Sequence, residues 1–183
     1  MTLTILAIMI LFPWVLEFLR YDRPAILRGE VWRLLSAHII HLGWSHAGMN
    51  LAALILVWML FNPLFSPAVW FIYTVVSSVL ISLALLLSNP ELHYYVGFSG
   101  VLHTLFVVGA LKEALMPLPG NSRVSAWLLL AAVGAKILWE QWAGAMPGSE
   151  SMAGGAVIVD AHLYGALVGI LLGSPFFFKT RLR

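Results

Sequence analysis

Apolar residues run through this chain in long blocks, and Pro, Gly, Asn and charged residues cut the blocks at intervals. The first block, Leu3 to about Phe18, has no basic residue before it and no small-residue cleavage site after it, so it reads as a retained helix rather than a signal peptide. Residues 20–45 then mix Arg20, Asp22, Arg23, Arg28, Glu30 and Arg33 with Trp32, Leu34, Leu35 and Ile39, the make-up of an interfacial amphipathic loop. A second block covers His46–Phe61 and stops at Asn62-Pro63. After Ser66-Pro67 the third covers Ala68–Leu87 and stops at Ser88-Asn89-Pro90. The fourth, Ser99–Met116, closes on Pro117 and Pro119-Gly120, and the fifth is Val124–Trp142. A Gly/Ser/Met-rich loop leads to the sixth, Ala156–Phe178, which ends at Lys179, Arg181 and Arg183. Each block approaches the ~20 residues that cross the hydrocarbon core of a bilayer. The pattern predicts an all-α, multi-pass bundle of six transmembrane helices forming one domain over residues 1–183, without repeats.

Composition strengthens the membrane assignment. Hydrophobic residues make up 61% of the 183 and charged residues 10%, with a mean hydropathy of +0.94; soluble domains carry about 25% charged residues. The lack of Cys excludes disulfides, thiolate chemistry and Cys-based zinc sites, and leaves the redox compartment open. Loop Arg and Lys account for the basic pI, and no basic stripe interleaves with aromatics, so the bilayer and not nucleic acid is the expected partner. With both termini inside, the inner loops carry Lys112, Arg123, Lys179, Arg181 and Arg183, and the outer ones Glu91, Glu140, Glu150 and Asp160. The arginines of the first loop run against this orientation.

Ionisable and hydroxyl groups inside hydrocarbon are costly, which singles out Ser99, in Gly97-Phe98-Ser99-Gly100-Val101-Leu102-His103, and His162, in Ala161-His162-Leu163-Tyr164-Gly165. A Ser and a His on separate helices are the minimum for hydroxyl-based nucleophilic catalysis. Depth is compatible: His162 falls about 9 Å below the outer surface, and Ser99 at ~10 Å would put Lys112 ~20 Å further on, at the inner edge of the core. Residues 89–98 should then be non-helical and line a wet pocket. Gly97 and Gly100 permit unusual dihedrals and close backbone approach, and a helix starting at Ser99 offers free N–H groups to an oxyanion. The plainer reading of Ser99 is a small residue packed between helices.

His162 leads a stripe of small residues, Ala161, Gly165, Gly169 and Gly173, that would let another helix approach closely. Asp160 is two residues away and cannot face His162, so a Ser–His dyad is expected rather than a triad. His46 and Asn50 share one face of their helix and could both donate to an oxyanion, or simply bond between helices. His103, one turn after Ser99, packs under His162 or rivals it as the base. His38, His41 and His46 invite a metal reading, but no Cys, Asp or Glu completes a compact set, so neither metal nor cofactor is expected. Trp32-Arg33 reads as an interfacial anchor, and Lys136 pairs with Glu140 one turn on.

Taken in order on six spans, Trp32-Arg33, His46-xxx-Asn50, Gly97-Phe98-Ser99-Gly100 and Ala161-His162-xx-Gly165-xxx-Gly169 resemble the rhomboid intramembrane serine proteases over essentially the whole chain. The resemblance implies Ser99 as nucleophile, His162 as general base, and His46, Asn50 and the Ser99 N–H as oxyanion donors, supported by Gly97, Gly100, His103 and Gly165. The family commonly has Tyr where this chain has His103. That departure, with the small size and absence of an added domain, is similar to the rhombosortase branch, associated with bacterial proteins bearing GlyGly-CTERM tails. It implies a multi-pass protein of the bacterial inner membrane whose site opens to the periplasmic side. Its substrates would be exported proteins held by a C-terminal tail with a Gly-rich junction, an apolar span and a basic end. Two rival readings are a catalytically silent rhomboid-like binding protein and a small transporter or metal carrier. Charged residues facing one another in mid-membrane would mark the latter.

Overall fold

A computed structural model describes residues 13–181. Most of the block from Leu3 to Phe18 therefore lies outside the described residues; its end is α1, Pro13–Leu19. There follow β1, Tyr21–Asp22, and the short helices α2, Arg23–Leu27, and α3, Arg33–Ser36. The long helices are α4, Trp44–Phe61, and α5, Pro67–Ser88, joined by the 3₁₀ turn Asn62–Leu64. Next come β2, Tyr94–Tyr95, then α6, Ser99–Leu115, and α7, Arg123–Ala143. Last are α8, Ser149–Ala153, and α9, Val159–Arg181.

Local chemistry sets these limits. Asn62-Pro63 ends α4, and α5 starts with Pro67 in its first turn behind Ser66, whose Oγ accepts from Val69 N–H at 3.4 Å. The last helix starts at Val159, three residues later than Ala156, because Gly154 closes α8 with φ 76° and residues 156–158 take no regular form.

The protein is mostly helical, and three helical stretches among the described residues are long and apolar enough to cross a membrane: Trp44–Leu64, Pro67–Ser88 and Val159–Phe176. The expected count of six is not reached on that criterion. Helix α6 has only 17 residues, and α7 carries Arg123, Lys136 and Glu140.

Helix α6 is the centre of the bundle, packed on α9, α7, α5 and α4 and buried almost all round, from Gly100 and Val101 to Leu111 and Ala114. Its closest neighbour is α9, on the small-residue stripe. A Cβ at Gly165 would run into the Gly100 carbonyl, one at Gly169 would lie 2.8 Å from Val107 Cβ, and one at Gly173 2.8 Å from Leu111 Cδ1. Thr104 Oγ1 fastens the crossing by donating to Gly165 O at 2.8 Å.

One departure from an all-α fold is a two-residue antiparallel ladder pairing Tyr21 with Tyr95 and Asp22 with Tyr94. Strands this short show no alternation in sequence. The ladder ties the first loop to the segment before Ser99, and that segment is held further by Gly97 N–H donating to Ala37 O at 3.0 Å and Tyr95 OH to Gly97 O at 2.7 Å. Two of the first-loop arginines that oppose the charge rule, Arg33 and Arg23, are structural pins. Arg33, expected with Trp32 as an interfacial anchor, is buried and donates to Glu17 O at 2.7 Å, Arg20 O at 2.8 Å and Glu30 Oε2 at 2.7 Å. Arg23 donates to Leu86 O, and Arg20 lies 3.7 Å from Asp22. Of the Trp32-Arg33 pair, Trp32 stays exposed.

Candidate active site

Ser99 is the first residue of α6, so its N–H has no carbonyl one turn earlier to bond within the helix. Its Oγ lies 2.9 Å from His162 Nε2. The serine is half-buried while the imidazole behind it is buried; a reacting group could therefore approach the hydroxyl without displacing the ring. The close crossing of α6 and α9 makes this meeting possible. Gly100 has the Ala161 carbonyl oxygen only 2.8 Å from where a Cβ would stand, and a side chain there would push Ser99 and His162 apart.

The other ring nitrogen has an acid partner that the sequence reading did not foresee. Glu140 of α7 places Oε2 2.9 Å from His162 Nδ1, and its Oε1 takes Lys136 Nζ at 2.7 Å. Asp160 is engaged elsewhere: Asn89 Nδ2 donates to its Oδ2 at 2.5 Å, and Tyr164 OH donates to Asn89 Oδ1 at 2.8 Å, clamping the end of α5 to the start of α9. The expected Ser–His pair is therefore extended to a Ser99–His162–Glu140 chain. Spacing on α7 suggested only the local Lys136–Glu140 pair, i to i+4; the approach of α9 to that pair is tertiary.

His103 stacks on His162, ring centroids 4.4 Å apart and planes at 21°. Its Nδ1 is 2.7 Å from Ser99 O and its Nε2 is 3.2 Å from Lys136 Nζ. An ammonium can only donate and a carbonyl can only accept, so the network assigns the proton of His103 to Nδ1. The same accounting places a proton on His162 Nδ1, donating to Glu140, and leaves Nε2 to accept from Ser99 Oγ–H. Lys136 Nζ also lies 3.3 Å from His162 Nδ1, but both groups are donors and that contact is not a bond. With its nitrogens directed at a backbone carbonyl and a lysine, His103 does not address Ser99 Oγ.

His46 and Asn50 lie beside this chain on α4. His46 packs its ring edge on Gly97, which has φ +121°; a Cβ at Gly97 would stand 2.8 Å from His46 Cε1 and 2.9 Å from Nε2. Asn50 is buried, and its Nδ2 donates back to His46 O at 3.0 Å. A second N–H of that amide remains for another acceptor.

Among the described residues, the three histidines of the metal reading do not gather into one set of ligand atoms. His38 is buried, 2.9 Å from the Ser82 hydroxyl, which itself donates to Leu34 O at 2.8 Å; the imidazole must therefore be the donor. Burial holds the His38 pKa down to about 4, so the ring is neutral at physiological pH. His41 meets His46 edge-on at 5.0 Å. A different trio, His103, Glu140 and His162, does bring ligand atoms within 4.8 Å of one another. Lys136 Nζ stands 2.7–3.3 Å from all three, so a positive charge already occupies the position a metal ion would need.

Sequence comparison adds the lineage. The Rhomboid domain family matches residues 28–179, from the loop ahead of α3 almost to the end of α9. No curated protein matches the chain. The match takes in every residue of the constellation just described, and the chain belongs to the rhomboid family of intramembrane serine proteases.

Proposed function

We propose that the protein is an intramembrane serine endopeptidase that cleaves the membrane tails of exported proteins, with Ser99 as nucleophile, His162 as general base and Glu140 as the group that orients the base. The observation that carries this reading is the unbroken chain from Ser99 Oγ through His162 Nε2 and Nδ1 to Glu140 Oε2, with both links at 2.9 Å. Each link has a catalytic task. Glu140 keeps the proton on Nδ1, so Nε2 is free to take the Ser99 proton as Oγ attacks the scissile carbonyl, and its charge stabilises the imidazolium that forms.

The tetrahedral oxyanion would sit at the amino end of α6, met by the Ser99 N–H, His46 and Asn50. Gly97 supports this pocket by letting the His46 ring lie against the backbone leading to Ser99. His162 then returns its proton to the leaving amine, an acyl-enzyme remains on Ser99, and water regenerates the hydroxyl by the same route in reverse. Water reaches the ester from the non-helical segment 89–98 above the site. No cofactor takes part.

Loss of one oxyanion donor typically costs about 10²–10³ in rate. Asn50→Ala is accordingly expected to lower kcat by about that factor with KM nearly unchanged, measured with a quenched-fluorescence peptide in detergent. An unchanged kcat would reduce Asn50 to a helix-packing residue.

The substrate reading follows from the helix that must be opened. A peptide bond inside a helix has its carbonyl bonded and covered, and Gly disfavours a helix by about 1 kcal/mol relative to Ala. The substrates are therefore exported proteins with a Gly-rich junction, an apolar span and a basic end held inside, as in GlyGly-CTERM tails, and the enzyme is a rhombosortase of the bacterial inner membrane with its site facing the periplasm. Replacing the junction glycines of such a substrate by Leu is expected to block cleavage while leaving the tail inserted, read from the mass of the released carboxy terminus. A Leu variant cut as fast as its parent, or a cut on the inner side, would overturn both substrate class and orientation.

A further inference from the structure

The inner end of α6 carries a second polar feature that the hydrolytic chain does not use. Glu113 is 6% exposed, and neither of its carboxylate oxygens has a hydrogen-bond partner. It lines a cavity of about 350 Å³ bounded by Met59 and Phe61 at the end of α4 and by Asn121, Ser122 and Ser125 at the start of α7. The neighbouring Lys112 donates to Leu64 O and lies over the Phe65 ring.

We propose that this cavity is a cation subsite that takes the lysine or arginine side chain at the inner end of a substrate's membrane tail. The inference rests on the tail-cleaving function above. A buried carboxylate without a partner is costly, and a cation that enters the cavity and bonds to it offsets part of that cost. A single carboxylate matches the single charge of an organic cation better than it matches Ca²⁺, whose sites usually gather several carboxylates. The cavity far exceeds the ~30 Å³ share of a single water and admits a long aliphatic stem with its charged head. Asn121, Ser122 and Ser125 add neutral acceptors around that head.

Position supplies the substrate. Glu113 is fourteen residues after Ser99 on the same helix, about 21 Å along its axis. Helices α4 and α7, which wall the cavity, make no extended contact with each other. A tail lying along that gap would present its junction to Ser99 and its inner flank to Glu113. The cation should therefore follow the scissile bond by about 14 residues, the register of a helical tail, and that flank is where a tail with its carboxy terminus inside carries positive charge.

The test measures binding and cleavage separately. Ser99→Ala protein in nanodiscs is titrated with fluorescent tail peptides bearing Lys or Gln about 14 residues after the junction, and the wild-type protein is assayed for cutting the same pair. The Lys tail is expected to bind about 10- to 100-fold more tightly, the range of a hydrogen bond to a charged group. Glu113→Gln in the Ser99→Ala background should erase the preference, and Glu113→Asp, which keeps the charge on a shorter arm, should retain part of it. Equal binding of the two tails, or a preference that survives Glu113→Gln, would overturn the subsite whether or not the wild type cleaves. A preference that depends on Glu113, with neither tail cut by the wild type, would instead leave the subsite standing and refute the protease function.

Discussion

Ser99→Ala and His162→Ala are each expected to abolish tail cleavage, a loss of about 10⁴- to 10⁶-fold in kcat, while leaving the protein folded. A nucleophile and its base act as a unit, so removing either one costs nearly as much as removing the whole chain. Neither change should unfold the bundle, because the α6–α9 crossing is held by Gly100, Gly165 and Gly169 and by the Thr104–Gly165 hydrogen bond rather than by the reacting groups. His103→Tyr is the informative companion. The His103 nitrogens face Ser99 O and Lys136, so a variant that keeps an aromatic ring under His162 should retain activity. Activity in His162→Ala beside a dead His103→Tyr would transfer the role of base.

Glu140→Gln is expected to give the second-largest loss, about 10³-fold or more in kcat with KM little changed. Gln can still bond to the ring, but it does not enforce the Nδ1–H tautomer or balance the imidazolium, and a change of this kind costs about 10⁴ in the Ser–His–Asp triads of soluble proteases. Lys136 moderates the effect here, since it shares the carboxylate through Oε1. The kcat of correctly folded protein, counted by active-site titration, separates orientation of the base from general stability. An unchanged kcat per titrated site would reduce Glu140 to the partner of Lys136.

Much of this architecture is legible in the chain because its signals are local. Asn62-Pro63, Ser66-Pro67 and Ser88-Asn89-Pro90 stop and start α4 and α5 within a residue or two, and the four-residue spacing of Ala161, Gly165, Gly169 and Gly173 announces a close helix contact. The Ser99–His162 pairing follows from depth and from the isolation of two polar groups in apolar runs. What stays hidden is what depends on three elements at once. Glu140 looks like the local partner of Lys136 until α9 brings His162 Nδ1 to its other oxygen. Tyr21 and Tyr95 pair across a ladder too short to leave a pattern. Arg33 and Arg23 of the first loop look like topology signals but are held by Glu17 O, Arg20 O and Leu86 O. Glu113 carries no sequence mark separating it from an interfacial acid, because its isolation comes from the walls that α4 and α7 place around it.

The most direct test is labelling of the detergent-solubilised protein with a serine-directed fluorophosphonate, followed by mass mapping of the modified peptide. The adduct should fall on Ser99, be lost in Ser99→Ala and His162→Ala, and form about 10³-fold more slowly in Glu140→Gln. Undiminished labelling of Ser99→Ala, or an adduct on a different serine of the wild type, would contradict the hydrolytic chain.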